Sequence, residues 1–330
     1  MSERHISLTP EELLQYSVVE DTKPIPEPPE KTVRDTGVIR DIQAKLDLLQ
    51  KALDQRAKEF GVPPTQLEKP VLPKEFTSAH LEAMQELFGA DTLEPLVLPR
   101  PDQITDEYIK MMYPITPSAA DKAKGLRSYR SDWWNREADK SIIHSAKETL
   151  GNAYLRSFRG EATELQDALV LTESIIKPKY FFDRTLQYGS VEDADDTLDP
   201  LLPLIREVLD EEATRFNLTW DQITTELIPK AKEKMSANFT AKGLSVPNFD
   251  VILTPALASN LQMTLNHPEN STTSTGEWSN TTLLKQDGSD SGHRLIVGFS
   301  VNGGAAFVRN DDRSDRWNDR GFRLSVVLRP

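Results

Sequence analysis

The chain has 330 residues, no cysteine and a formal net charge of −13. The missing cysteine excludes disulfides, thiolate nucleophiles, thiolate metal sites and iron–sulfur ligation. The acidic balance opposes general binding to a phosphate backbone, and no apolar run approaches the ~20 residues that span a bilayer.

At roughly 100–200 residues per domain, this length suggests two domains. Residues 1–32 read as a flexible tail. A short helix over Thr9 to Tyr16 is followed by the extended, Pro-rich spacer Lys23-Pro24-Ile25-Pro26-Glu27-Pro28-Pro29. The opening Met-Ser-Glu-Arg-His lacks the basic and apolar regions of a signal peptide, so the default expectation is a cytoplasmic protein. Residues 33–60 carry the strongest helical pattern. Ile39, Ile42, Leu46, Leu49 and Leu53 repeat at 3-4 spacing, and Gly61-Val62-Pro63-Pro64 stops the run. Such a seam either packs on its own domain or joins copies of the chain as a coiled coil.

Residues 62–118 are punctuated by Pro, with helices over Ser78 to Phe88 and near Asp106 to Met112. Residues 119–243 read as a run of helices. One runs from Asp132-Trp133-Trp134 toward Leu150. A second leads from Gly160-Glu161 to near Pro178, and a third carries Leu201, Leu204, Ile205, Val208 and Leu209. Thr219 and Gln222 have capping-box spacing ahead of a helix that Pro229 should kink or split.

From about residue 247 the periodicity changes. Val251-Ile252-Leu253 is a short apolar run, and 266–293 is polar enough to read as loop. Leu295, Val297, Phe299 and Val301 then alternate as a strand, Asn302-Gly303 signals a hairpin turn, and Gly304 to Val308 returns. Arg309 to Arg320 reads as a polar loop. A last strand places Phe322, Leu324, Val326 and Leu328 on one face. Composition shifts with it. From Asp250 onward there are 9 acidic and 8 basic residues, 7 of the basic ones Arg, so the excess negative charge sits upstream. The expected fold class is therefore α+β: a mostly helical region over 33–245 followed by a mixed β module over 246–330.

Chemistry-bearing motifs are scarce. There is no Gly-X-Ser-X-Gly elbow, no phosphate-cradling Gly-rich loop before a helix, and no pair of the five histidines at helical ligand spacing. Asp287 to Gly292 has calcium-loop spacing only in part. Gly298 stands where the bidentate Glu belongs, so the segment reads as a polar turn. A cluster of Asp132, Trp133, Trp134, His144 and Arg156 has nothing beyond proximity to mark it as catalytic. No catalytic residue, metal ligand or cofactor is expected. The interleaved stretch Arg309 to Arg320 stands apart. Its Arg forks, Asn amides and Trp317 indole offer directional hydrogen bonds and rigid stacking area, and its near-zero charge suits a protein or glycan more than nucleic acid.

The spaced features Gly298, Gly303-Gly304, Arg309, Arg313, Arg316 and Gly321-Phe322-Arg323-Leu324, with Gly276-Glu277-Trp278 upstream, resemble the tail of the formylglycine-generating (sulfatase-modifying) enzyme family. The resemblance covers Gly276 to Pro330. It implies a C-type-lectin-like fold with Phe322 and Leu324 in the core and the Arg-rich stretch near the ligand side. It also departs from the family: the oxidising members use cysteines, the iron-dependent relatives need a histidine cluster, and Ala305-Ala306 replaces Ser-Trp. The resemblance therefore points to the non-catalytic branch, which includes the variable ligand-binding proteins of diversity-generating retroelements. Trp317-Asn318-Asp319 matches the tripeptide of calcium-dependent lectins, but their companion Glu-Pro-Asn is absent. The functional expectation is a non-enzymatic recognition protein contacting its ligand through Trp278, Asn302, Arg309, Asn310, Asp311, Asp312, Arg316, Trp317 and Asn318. The alternative is a structural or assembly protein, such as a phage or cell-surface component, that oligomerises through 33–60.

Overall fold

In the computed structural model, residues 36–112, 149–173, 199–261, 276–299, 307–316 and 320–330 are described. Helix α1 (Thr36–Phe60) realises the heptad pattern and stops where Gly61 turns at φ +63. Its seam faces its own chain: Ile42, Leu46, Leu49 and Leu53 are buried, while Leu48, on the far side, is 64% exposed. Helix α2 (Ser78–Phe88) and helix α3 (Asp106–Met112) lie at their expected positions.

Between them lies an unexpected strand, β1 (Leu93–Leu96). Pro95 fits because β1 is the edge of its sheet, where a missing N–H leaves no ladder bond unmade. A second correction falls at 160–178. Helix α4 (Leu150–Glu164) ends early, Asp167 turns the chain at φ 63, and β2 (Leu169–Glu173) follows. Every residue of β2 is buried, so no alternation marked it in the sequence.

Helix α5 (Leu202–Val208) is followed by α6 (Trp220–Gln222), which runs through a π-helical turn (Ile223–Leu227) into α7 (Ile228–Ala241). The capping box forms as expected, with Gln222 N donating to Thr219 Oγ1 at 3.0 Å and Thr219 N to Gln222 Oε1 at 3.2 Å. Pro229 sits just beyond the π turn, which widens the helix where Pro can donate no i→i−4 bond. Strand β3 (Phe249–Leu253) and helix α8 (Ala256–Leu261) come next.

The stretch expected as loop over 266–293 contains β4 (Gly276–Leu284) and the start of β5 (Asp290–Phe299). The Asp287–Gly292 segment includes the turn between them, with Gly288 N donating to Lys285 O. Strand β6 (Phe307–Asp312) extends through four residues expected in the polar loop. The final segment is two strands, β7 (Arg320–Phe322) and β8 (Leu324–Leu328), separated by Arg323.

Two sheets result. The first has the order β1-β2-β8-β3 with antiparallel neighbours, and the second the order β6-β5-β4-β7, where β4 and β7 run parallel. The chain passes from the second sheet to the first at Arg323. Alternate residues of both sheets enter two apolar cores. One gathers α3, α4, α8 and the second half of α1, and the other gathers α2, α5, α7 and the first half of α1. The described residues form one compact unit. The division expected near 245–250 is no seam, because β8 is hydrogen bonded by β2 on one side and β3 on the other. The architecture is α+β. No described helix is long and apolar enough to cross a membrane.

Candidate functional site

The candidate surface lies around the second sheet, and its framework is a set of buried charges. Arg215, 1% exposed, donates to Asp199 from Nε (2.6 Å) and Nη2 (2.8 Å) and to Glu173 from Nη1 (2.9 Å) and Nη2 (2.7 Å). It also donates to Phe322 O at 3.1 Å and lies 5.5 Å from the Phe322 ring centroid. Burial alone would lower its pKa, but Asp199 and Glu173 outweigh burial and raise it well above the ordinary guanidinium value. Glu173 accepts Leu324 N–H at 2.7 Å. At the crossover between sheets, Arg323 donates to Glu277 (2.8 Å), Ser259 (3.0 Å) and Glu173 O (3.2 Å). A row of buried hydroxyls, Thr172–Ser325–Thr254, runs beside it from β2 through β8 to the residue after β3 at 3.1 and 2.9 Å.

This network brings together residues that the sequence keeps apart. Gly276-Glu277-Trp278 and Arg320-Gly321-Phe322 are parallel partners in register. Gly276 is required by a close approach: a Cβ there would stand 2.9 Å from Ile296 Cγ2 and 3.9 Å from Arg320 Cγ. Arg320, itself 1% exposed, has its guanidinium 5.4 Å from the Trp278 ring centroid and pairs with Asp311 on the opposite edge strand.

The nine expected contact residues therefore separate. Trp278 is buried, and its indole N–H donates to Leu218 O at 3.0 Å, so it is core rather than ligand surface. Asp311 is half-buried against Arg320. Asp312 accepts from Ser314 Oγ (2.6 Å) and Ser314 N (2.8 Å); these bonds hold its carboxyl below the usual range, aided by His293 and Arg313 and opposed by burial. Arg309 and Asn310 lie in β6, opposite Ile296 and Leu295, and successive register positions alternate between sheet faces. Arg316 is exposed. Asn302, Trp317 and Asn318 lie outside the described residues. So do Asp132, Trp133, Trp134 and His144, while Arg156 donates to Leu284 O at 2.7 Å.

The turn after β6 is fixed on both sides. Arg313 N donates to Gly292 O, and Asp221 N to Arg313 O. Nearby, Arg294 stacks 4.2 Å from the Trp220 ring centroid and grips Asp290 with two bonds of 2.9 Å. Burial alone would raise the Asp290 pKa, but Arg294 and the Gly292 N–H lower it overall. Trp220 Nε1 donates to Ser279 O at 3.0 Å. Among the described residues, no three His, Asp or Glu side chains are grouped to hold a metal ion.

Sequence reasoning missed Arg215, Glu173, Asp199, Glu277 and Glu161. Their partners lie up to 151 residues away, so no local spacing announces them. Glu277, adjacent to the residue that was singled out, carried the one usable signal through its place in the tail resemblance. No protein-family model, curated protein or solved structure matches the chain.

Proposed function

We propose that this chain is a non-enzymatic recognition protein whose C-terminal part is a C-type-lectin-like binding module, akin to the non-catalytic branch of the formylglycine-generating enzyme family. The observation that carries the reading is the parallel pairing of Glu277-Trp278 with Gly321-Phe322, tied by the 2.8 Å Arg323–Glu277 ion pair. The two motifs that suggested the resemblance meet in one buried unit, and the Arg-rich turn grows from its edge. Asp311, Asp312 and Trp278 serve this reading as framework. Asn302, Arg309, Asn310, Arg316, Trp317 and Asn318 are the ligand positions.

Fixing Asp311 and Asp312 in the free protein reduces the ordering cost on binding, which suits hydrogen-bonding recognition of a protein or glycan. Diversification of the ligand positions, as in retroelement variable proteins, belongs to the same proposal. The assembly reading through 33–60 lacks comparable support, because its seam is covered by the chain's own core. The test is selection of binders from a glycan array and a displayed-peptide library. The triple change Arg309→Ala, Arg316→Ala, Trp317→Ala should abolish the selected binding while the fold persists. Unchanged binding by the folded triple variant sinks the proposal.

A further inference from the structure

Helix α4 is seated on β4 by an unusual set of contacts. Leu284 N donates to Ser157 Oγ at 2.9 Å, and Arg156 reaches Leu284 O at 2.7 Å. At Gly160 the helix comes so close that a Cβ would stand 3.0 Å from Leu284 Cδ1. The next residue, one turn on from Ser157, is Glu161, only 5% exposed. Its Oε2 is 2.5 Å from Thr281 Oγ1, and its Oε1 makes no full hydrogen bond among the described residues, although the Asn280 side chain and the Ala256 N–H lie close enough to favour the charged form. Thr281 Oγ1 accepts Ala256 N–H at 2.9 Å and keeps both its proton and a second lone pair, so it can donate to the carboxylate or accept from the neutral acid. Among the described side chains, no cation is a cause acting on this acid. On α4, Arg156 and Arg159 are spent on the carbonyls of Leu284 and Ile104, and Glu164 adds repulsion. On β4, Glu277 is held by Arg323 and Lys285 lies beyond the strand's end, while α8 carries no charged residue. On β5, Arg294 is paired with Asp290, and His293 lies opposite Asp312. In the neighbouring turn Asp102 pairs with Arg100, and α3 carries the acids Asp106 and Glu107 at its start and Lys110 further along.

We propose that the seat of α4 on β4 is a pH-operated latch, closed while the Glu161 carboxyl is neutral and loosened when it ionises. A buried carboxylate with one oxygen lacking a full hydrogen bond is costlier than the neutral acid in the same place. Burial, the largest cause, pushes Glu161 up to about 8; Glu164 adds to this, and Thr281, Asn280 and the Ala256 N–H oppose it. The contact sits where β4 is irregular, since its register with β5 shifts between Trp278 and Thr282 and again before Leu284. Opening should therefore show first in α4 and in β4 around 281–284.

The sign follows from proton linkage. The folded acid binds its proton more tightly than the unfolded one. Its contribution to global stability is thus full below the ordinary carboxyl value, falls as pH rises, and levels off above about 8, where the folded-state latch opens. The test uses the full chain. The Glu161→Gln variant should lose the part of the stability-against-pH curve that declines up to about pH 8. Parallel curves for the two proteins overturn the proposal. Should the variant not fold, the wild type decides by carboxyl ¹³C NMR and hydrogen exchange. The Glu161 resonance should titrate near pH 8, with exchange in 281–284, corrected for intrinsic rate, rising about tenfold or more by pH 9.5. A Glu161 midpoint in the ordinary range near about 4.3, or flat corrected exchange, overturns it equally.

Discussion

Changing Arg215 to Met strands two buried carboxylates. Glu173 and Asp199 would lose four hydrogen bonds of 2.6–2.9 Å and keep only the N–H donors of Leu324 and Leu201. Breaking a buried pair this way costs about 3–5 kcal/mol, because the remaining charge stays desolvated. Against a typical total of about 5–15 kcal/mol, that loss is large. Urea unfolding followed by circular dichroism measures it. The triple change Arg215→Met, Glu173→Gln, Asp199→Asn should recover most of the loss, because a whole buried ionic cluster contributes little net stability over a neutral replacement. A single-variant loss below about 1 kcal/mol would refute the claim that this cluster fastens the sheets.

Three further outcomes are expected. Gly276→Ala should destabilise by about 1–3 kcal/mol, because its Cβ would overlap Ile296 unless the strand shifts; an unchanged melt contradicts the close approach. Leu49→Ala should cost about 2–5 kcal/mol and Leu48→Ala within about 0.5, with the chain monomeric by sedimentation in both cases; the reverse ranking places the outer face of α1 in an interface. Trp278→Phe should cost about 1–3 kcal/mol by leaving Leu218 O unpaired, yet leave ligand affinity unchanged; a selective loss of binding returns Trp278 to the ligand surface.

How legible each part was depended on what its neighbours bury. Helices α1, α2 and α3 and the Thr219 capping box declared themselves through local spacing and caps, which need no tertiary partner. Strand β4 hid because three of its buried side chains, Glu277, Ser279 and Thr281, are polar. Each is buried by hydrogen bonding rather than by apolar contact: Ser279 donates to Leu295 O at 2.7 Å and Thr281 meets Glu161. Polar alternation of that kind looks like loop in a sequence. Strand β2 hid for the opposite reason, since it is buried on both faces and shows no alternation. The tail read as one strand because its apolar period continues through Arg323, although the hydrogen-bond partners change sheet there. At the candidate site, residue types marked the region, but register decided the roles. Asp311 and Trp278 are both committed to Arg320, whose place at the end of a polar stretch gives no local sign of that role.

The most direct test of the recognition account is a saturation scan of residues 300–323 in the displayed full chain, scored for folding by protease resistance. The account predicts two classes. Asp311, Arg320, Phe322 and Arg323 should tolerate almost nothing, since each is committed to a buried partner or core contact. Asn302, Arg309, Asn310, Arg316, Trp317 and Asn318 should accept most substitutions, leaving them free to vary with the ligand. Intolerance at those six positions as severe as at Arg323 would mean that they hold the fold together, and would contradict the recognition surface.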